Sequence, residues 1–230
     1  DQKLAAFERA GLGGVAIVRF TKDLSQLEPE AFVETVLLDW LRVSEVWVGE
    51  NFLFGRERRG TFTLLRALAQ DKGFRTEKID PVRYKDFVVS STRIRRLVGE
   101  ARMDEAAALL GRPYYVDGVI VEGKRRGREL GFPTANLETQ NELVPPNGVY
   151  ATIMTIDGVV HGGVTNIGMR PTFGETVPTI ETHVLDYSGN LYGQTVRLAF
   201  VQRLRDERRF EDVDALRAQI DADKRGAERL

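Results

Sequence analysis

The sequence predicts an α/β domain followed by an antiparallel β domain that closes with a helix. Residues 1–110 alternate helical and strand-like hydrophobic patterns, which indicates a parallel α/β sheet. From Tyr114 onward the pattern changes to short strands separated by turn residues. The last helical pattern places Val213, Leu216 and Ile220 on one face. A chain of 230 residues, of which 42% are hydrophobic, is long enough to bury two such cores.

The first domain opens with a short helical pattern, Lys3–Ala10, that ends at Gly11. The apolar run Val15–Phe20 is typical of a buried parallel strand. The same spacing rules predict helices over 28–42, 62–72 and 104–110, strands over 46–48 and 75–79, and a helix from Arg93 that Ser90, Ser91 and Thr92 can cap.

The second domain is predicted to be an antiparallel barrel with the last helix packed on it. Asp157-Gly158 and Ser188-Gly189-Asn190 are typical of the turns that join neighbouring strands. The predicted strands are Tyr115–Val121, Val149–Ile156, Val159–Val164, Thr179–Asp186 and Thr195–Gln202. We assign residues 1–105 to the first domain and 106–230 to the second. The change from the α/β pattern to the β pattern falls near Gly111-Arg112-Pro113.

Composition limits the partners and the compartment. Lysine and arginine total 33 against 34 acidic residues, so no global positive field would hold the protein on nucleic acid or on an anionic membrane. The absence of cysteine excludes disulfides and cysteine-based metal sites or nucleophiles. Without a long apolar run or a signal-peptide layout, the chain is predicted to be cytoplasmic. It begins at Asp1 without Met, on a helical pattern, and we expect that upstream sequence has been lost.

Two glycine patterns and one basic run suggest functions that their context does not support. Gly11–Ala16 fits a dinucleotide-binding pattern but precedes a strand pattern instead of following one, so we interpret it as a helix stop. Gly118–Lys124 matches the start of a P-loop, yet Arg125 replaces the Ser or Thr that the motif requires. The run Lys124–Arg128 lacks interleaved aromatic residues, which favours a solvated or phosphate-facing loop over a nucleic-acid patch.

The segment Gly127–Asn136 carries the strongest chemical signal. Its glycines permit the backbone to approach a ligand closely, and Pro133 fixes a turn that presents Thr134 and Asn136 together. A hydroxyl and an amide carbonyl are hard oxygen ligands, suited to a Mg²⁺ that keeps most of its shell as water and nucleotide phosphate. On spacing alone, an ordinary Gly-Pro turn explains the same residues equally well.

The stretch Leu130–Asn136 resembles the signature loop of riboflavin kinases. Further motifs of that family follow in order through the second domain: Gly148-Val149-Tyr150, Thr165-Asn166-Ile167-Gly168, Arg170-Pro171-Thr172, Glu181-Thr182-His183, and Leu204-Arg205 with Phe210. The resemblance implies a Greek-key antiparallel β-barrel of the riboflavin-kinase type with a C-terminal helix.

The resemblance also implies roles for single residues. Glu181 would be the base that takes the proton from the ribityl 5′-hydroxyl of riboflavin, and Arg205 would contact the flavin. Residues implied in binding ATP and its phosphates are Gly127, Arg128, Gly131, Phe132, Pro133, Thr134 and Asn136, of which Thr134 and Asn136 would also hold Mg²⁺, with Lys124 and Arg126 available to neutralise charge. Outside this context, Glu181 would be an exposed strand carboxylate paired across the sheet, and we interpret His183 as structural.

The first domain resembles the FMN adenylyltransferase (FAD synthetase) half of bifunctional riboflavin kinase/FAD synthetases, which is a Rossmann-like nucleotidyltransferase domain. Gly49–Gly55 with Gly60 is similar to the flavin-side loop of that half, which implies that Asn51 and Phe54 contact flavin. The motif similar to its second phosphate-binding segment supplies Ser91, Thr92, Arg93 and Arg95. A plain helix cap with surface arginines is the alternative interpretation of that motif.

One departure from the family pattern limits the predicted activity. Adenylyltransferases of this kind use a His-x-Gly-His or similar motif after the first strand, whereas this chain has only His161 and His183, both in the predicted barrel. We therefore expect an incomplete Rossmann-like domain that lacks its first strand and helix and is inactive.

The predicted function is a riboflavin kinase that uses ATP and Mg²⁺ to make FMN, in a bifunctional enzyme whose other half makes FAD. The alternatives are a non-catalytic flavin- or nucleotide-binding protein and a nucleic-acid-binding module. The predicted partners are the small molecules riboflavin, FMN and ATP, with no nucleic acid or membrane. The sequence leaves the oligomeric state open.

Overall fold

A computed structural model of the chain describes residues 2–123, 127, 131–172 and 175–230. The chain folds into two compact units, Asp1–Val82 and Arg83–Leu230. The predicted functional boundary at residues 105 and 106 stays a prediction, because compactness does not say which residues serve which reaction. No helix in the described ranges is long and apolar enough to cross a membrane.

The first unit contains a parallel strand pair joined by a helix, which is the arrangement predicted from the alternating patterns. Its helices are α1 (Gln2–Arg9), α2 (Lys22–Ser25), α3 (Pro29–Phe32) continuing as a π-helix (Val33–Trp40), and α4 (Phe62–Lys72); its strands are β1 (Glu45–Gly49) and β2 (Arg75–Ile79). β1 and β2 pair in parallel, and α4 makes the connection that a parallel pair requires. Val33 and Leu65 are fully buried at the centre of the core of this unit.

The apolar run Val15–Phe20 is not the buried strand that the sequence suggests. Residues 15–20 have no regular structure, and Ile17 and Phe20 are each 79% exposed. An apolar run becomes a parallel strand only where a neighbouring strand takes up its backbone hydrogen bonds, and within the described residues none pairs with it. The interpretation of the preceding glycine as a helix stop is confirmed, because Gly11 follows α1 with φ at 73°.

The second unit is built around a closed antiparallel barrel. Its elements are a small hairpin of β3 (Arg83–Tyr84) and β4 (Phe87–Val88), helices α5 (Ser91–Gly99) and α6 (Met103–Leu110), strands β5 (Tyr114–Val121), β6 (Ala135–Thr139), β7 (Gly148–Ile156), β8 (Val159–Thr172), β9 (Glu175–Val184) and β10 (Thr195–Arg205), and helix α7 (Val213–Ala227). The barrel order is β10-β5-β6-β9-β8-β7. Because β7, β8 and β9 are consecutive neighbours and β6 lies beside β9, the predicted Greek key is confirmed.

The barrel interior combines aromatic packing with a chain of buried hydroxyls. Tyr150 and Phe200, both fully buried, meet edge to face with ring centroids 5.4 Å apart. Thr152, Thr165 and Thr182 lie on adjacent strands, and the two Oγ1···Oγ1 distances along this chain are 2.8 Å. Burying hydroxyl groups is unfavourable unless they bond to one another, as these do.

Helix α7 is anchored to the barrel through a buried carboxylate. Asp212 caps its N-terminus by accepting a hydrogen bond from the Ala215 amide. Asp223, only 6% exposed, accepts hydrogen bonds from Nε and Nη2 of Arg205 on β10, and a further one of 2.7 Å from the Gln219 amide. The pair joins the last helix to the last strand, and the predicted packing of this helix on the barrel is confirmed. Of the predicted apolar face, Leu216 and Ile220 are half-buried, whereas Val213 is exposed.

Replacing Asp223 by Asn is expected to lower the free energy of unfolding of the second unit by about 2–4 kcal/mol, because Arg205 would keep a buried charge without its counter-ion. The measurement is urea denaturation followed by far-UV circular dichroism. Asp214→Asn in the same helix is the control, because Asp214 is 93% exposed and lies 4.0 Å from Arg217, so it should cost less than about 0.5 kcal/mol. Equal stability of the two variants would show that the pair does not anchor the helix.

Candidate functional site

Three neighbouring strands bring a carboxylate and two amides side by side. Glu181 on β9 is the register partner of Asn136 on β6 and of Asn166 on β8. Their chain neighbours are buried in the barrel, so by alternation the three side chains lie on its outer face. Directly opposite residues of antiparallel strands have Cβ atoms roughly 4.5–5.5 Å apart, which places Glu181 between the two amides.

A short segment before β6 is pinned to the strand that carries Glu181. The Phe132 amide donates to the carbonyl of Gly127 over 2.8 Å. His183 Nδ1 lies 2.9 Å from the carbonyl oxygen of Pro133, and the rings of Phe132 and His183 meet edge to face with centroids 5.5 Å apart. Strand β9 therefore both carries the predicted base, Glu181, and contacts the predicted ATP-binding loop through His183.

Gly123, the second glycine of the P-loop-like pattern that the sequence analysis set aside, makes room for Asn136. A Cβ at Gly123 would lie 2.8 Å from Asn136 Oδ1 and closer still to Nδ2, so the amide packs directly on this backbone. On the other flank, Asn166 Nδ2 donates to Glu207 Oε1 over 3.3 Å. The local signal for Gly123 is its place two residues after β5, where a glycine is typical of close approach by another group.

A cavity of about 590 Å³ opens next to the same segment. Pro133 and Thr134 line one side, residues Tyr187–Tyr192 of the connection between β9 and β10 line the other, and Thr182 contributes from the interior. This volume falls in the range of small-molecule sites. The prediction that Ser188-Gly189-Asn190 joins neighbouring strands is wrong, because β9 and β10 each pair with other strands and the segment crosses between them. The sequence signal for a site was the pair of tyrosines, Tyr187 and Tyr192, that flank these residues.

Two predicted site residues of the second domain, Arg128 and Arg205, are not tested by this arrangement. Arg128, together with the basic residues 124–126, lies outside the described residues. Arg205 lies on β10, which pairs with β5 and β7 and not with β9, and its guanidinium bonds Asp223 and the carbonyl of Asp206. Its predicted contact with flavin stays a prediction.

In the first unit, the predicted flavin loop is partly a packing motif. Asn51 is exposed, whereas Phe54 is 6% exposed and stacks on Phe52 with centroids 5.6 Å apart. Gly55 has φ at 70°, and a Cβ there would lie 2.8 Å from the backbone of Pro29. Glycine at this position is therefore explained by packing, and flavin contact by Asn51 and Phe54 stays a prediction.

The predicted phosphate motif opens helix α5. Ser90 alone caps the helix, accepting a hydrogen bond from the Arg93 amide, because the helix begins at Ser91 and not at the predicted Arg93. Ser91, Thr92 and Arg95 are exposed in the first turns. The Arg93 guanidinium lies 3.8 Å from the centroid of the Phe87 ring. The cap is thus observed, and phosphate binding stays a prediction.

Comparison with known proteins shows the same two-part organisation. The family model for FAD synthetase matches residues 1–93, and the model for riboflavin kinase matches residues 110–230. The bifunctional riboflavin kinase/FMN adenylyltransferase of Pseudomonas fluorescens is 38% identical over 221 residues, which cover 96% of this chain and 71% of that protein. The chain belongs to the bifunctional riboflavin kinase/FMN adenylyltransferase family.

Other relatives agree with this assignment. The bifunctional riboflavin kinase/FMN adenylyltransferase of Bacillus subtilis (strain 168) is 33% identical over 231 residues, covering 99% of this chain and 72% of that protein. A solved structure described as a macrolide-efflux protein from Streptococcus pneumoniae has a TM-score of 0.92 and 26% identity, covering 100% of this chain and 74% of that one. The chain is thus an enzyme, a riboflavin kinase with an FAD synthetase domain, whose substrates are flavin and ATP.

The packing of Asn136 on Gly123 leads to a testable expectation. Gly123→Ala should lower kcat/KM for ATP in the riboflavin kinase reaction on the order of 10-fold or more, because the added methyl group displaces the Asn136 amide. Initial rates of FMN formation provide the measurement. Gly99→Ala is the matched control, since a Cβ there would meet nothing within 4 Å. Full activity of Gly123→Ala would show that the position of Asn136 is not needed.

Proposed function

We propose that the barrel transfers the γ-phosphate of ATP to the 5′-hydroxyl of riboflavin, with Glu181 as the base. The observation that carries the proposal is the row of Asn136, Glu181 and Asn166 beside the pinned segment at Pro133. The attacking hydroxyl must lose its proton as the bond to phosphorus forms, and a positioned carboxylate typically contributes about 10²–10⁴ in rate. Family membership favours this enzyme over a non-catalytic flavin- or nucleotide-binding protein.

The nucleotide is proposed to occupy the cavity beside Thr134. The walls formed by Pro133 and Tyr187–Tyr192 offer apolar and aromatic surface together with backbone groups, which suits a purine ring. Thr134 on the same wall directly precedes β6, which carries Asn136, so a nucleotide held there would direct its phosphates toward Glu181. Phosphoryl transfer depends mostly on such in-line positioning and on charge neutralisation. The phosphate-binding roles of Gly127, Gly131 and Phe132 belong to the same proposal.

The donor set at the loop fits Mg²⁺. Thr134 and Asn136 supply a hydroxyl and an amide oxygen, and across the described ranges there is no group of three or more His, Cys, Asp or Glu that would form an all-protein metal cage. Magnesium characteristically takes few protein ligands and completes its shell with water and phosphate oxygens. When bound, the ion would neutralise phosphate charge, while Thr134 and Asn136 orient it relative to Glu181.

For the FAD synthetase motifs, we propose that Asn51 and Phe54 of the first unit contact FMN. We propose separately that Ser91, Thr92, Arg93 and Arg95 of helix α5, which belongs to the second unit, bind phosphate. The helix N-terminus of α5 directs unpaired amides outward, and the nearby guanidinium groups of Arg93 and Arg95 add positive charge. These features favour binding of a pyrophosphate. The predicted cytoplasmic location stays a prediction.

Glu181→Gln is expected to lower kcat for FMN formation about 10²-fold or more with little change in riboflavin binding, because the amide preserves size but removes the base. Rapid-quench or steady-state assays provide kcat, and flavin fluorescence titration provides the dissociation constant. Glu138→Gln on β6 is the matched control, since Glu138 is exposed and lies outside the proposed site. Turnover of Glu181→Gln within a factor of about three of the parent would rule out Glu181 as the base.

The 230-residue chain is expected to accumulate FMN and to make essentially no FAD from riboflavin, ATP and Mg²⁺. Both of its histidines lie in the barrel, on β8 and β9, so no imidazole of the first unit stabilises the charge that develops on the α-phosphate. Chromatographic separation of the flavins after long incubation is the measurement. FAD formed at a rate comparable to FMN consumption would contradict this account of adenylyl transfer.

A further inference from the structure

His183 connects the strand of the proposed base to the wall of the proposed nucleotide cavity. It lies on β9 two residues after Glu181 and therefore on the same outer face. Its Nδ1 atom is 2.9 Å from the carbonyl oxygen of Pro133, and its ring meets Phe132 edge to face. These two contacts come from one side chain and reach two consecutive residues of the segment before β6.

The contact with Pro133 determines which ring nitrogen of His183 carries a proton. A carbonyl oxygen only accepts hydrogen bonds, so Nδ1 of His183 must carry the proton and donate it. The Pro133 carbonyl shares one planar peptide unit with the amide N–H of Thr134. Holding the oxygen of Pro133 therefore holds the direction of the Thr134 N–H as well. Proline restricts its own φ angle, so the hydrogen bond constrains the part of this backbone that the ring leaves free.

Barrel closure does not depend on this side chain. The chain neighbours of His183, Thr182 and Val184, are buried and supply the inward face of β9, and the backbone of β9 is paired with β6 and β8. His183 itself is partly exposed. Its side chain makes its contacts with the segment at Phe132 and Pro133, on the outer face of the strand.

We propose that His183 is a positioning residue for the kinase reaction, which sets the orientation of the Pro133–Thr134 peptide relative to Glu181. The proposal rests on the proposed nucleotide site beside Thr134. It assigns to His183 a role in holding ATP in line for transfer, in addition to a structural one. Because Pro133 and Thr134 line the proposed nucleotide cavity, we expect loss of the hydrogen bond to affect ATP more than riboflavin.

Two substitutions at the same position separate the hydrogen bond from the ring. His183→Asn keeps a donor near the place of Nδ1 and removes most of the ring, whereas His183→Phe keeps an aromatic ring and removes the donor. We expect kcat/KM for ATP to fall about 3- to 10-fold in His183→Phe, mainly through a higher KM for ATP, and to stay within about twofold in His183→Asn. The dissociation constant of riboflavin, measured by fluorescence, should be unchanged in both.

A stability control and a site control make the outcome decisive. Ile156→Val thins the barrel core at a residue that is 3% exposed and does not line the cavity, so it should lower the melting temperature without changing KM for ATP. Thr134→Val tests the nucleotide site itself and should raise KM for ATP. If Thr134→Val raises KM for ATP and a folded His183→Phe does not, the proposed positioning role of His183 is wrong. An equal loss of kcat/KM for ATP in His183→Asn and His183→Phe would show that the hydrogen bond is not what matters. If Thr134→Val also leaves KM unchanged, the proposed nucleotide site is wrong instead.

Discussion

The hydrogen-bond register of β9 between β6 and β8 determines which side chains meet in this enzyme. Inward residues of β9, among them Thr182, close the barrel, while the outward residues Glu181 and His183 face the site. Because side chains alternate along a strand, a slip of one residue would bury the carboxylate and expose the core. The backbone hydrogen bonds of β9 therefore fix both the inward residues that stabilise the barrel and the outward residues of the proposed site.

The buried threonines also stabilise this register. Thr152, Thr165 and Thr182 satisfy one another across three adjacent strands, with 2.8 Å between successive hydroxyl oxygens. An aliphatic core tolerates small shifts of one strand past another, but a shift here would leave hydroxyl groups without partners in a region of low dielectric. The polar chain inside the barrel therefore supports the alignment of Asn136, Glu181 and Asn166 outside it.

Sequence patterns predicted most of the fold because they report local chemistry. Turn residues and alternation located five of the described barrel strands, and the helix at Phe62–Lys72 was predicted with the bounds observed. Strand β6, Ala135–Thr139, was missed because it directly follows the Gly-Pro segment that was interpreted as a loop. Val15–Phe20 was misassigned because burial of an apolar run depends on partners that the run itself does not encode. Position along the chain also cannot show that Phe54 packs into a core, or that Tyr187–Tyr192 face Thr134 across a cavity. Those facts arise only when distant segments meet.

The place of β10 in the barrel has a consequence for how the protein is made. This strand, the last of the barrel along the chain, lies between β5 and β7, and Arg197 on it pairs with Asp117, 80 residues earlier. Until β10 has left the ribosome, both of its neighbours present unpaired edges, and such edges invite association with other nascent chains. Barrel closure therefore requires that β10 has been synthesised, and the contacts that close it are among the slowest to form because they join distant parts of the chain. The interval between the synthesis of β5 and that of β10 is therefore the period in which the unfinished barrel is most exposed to association.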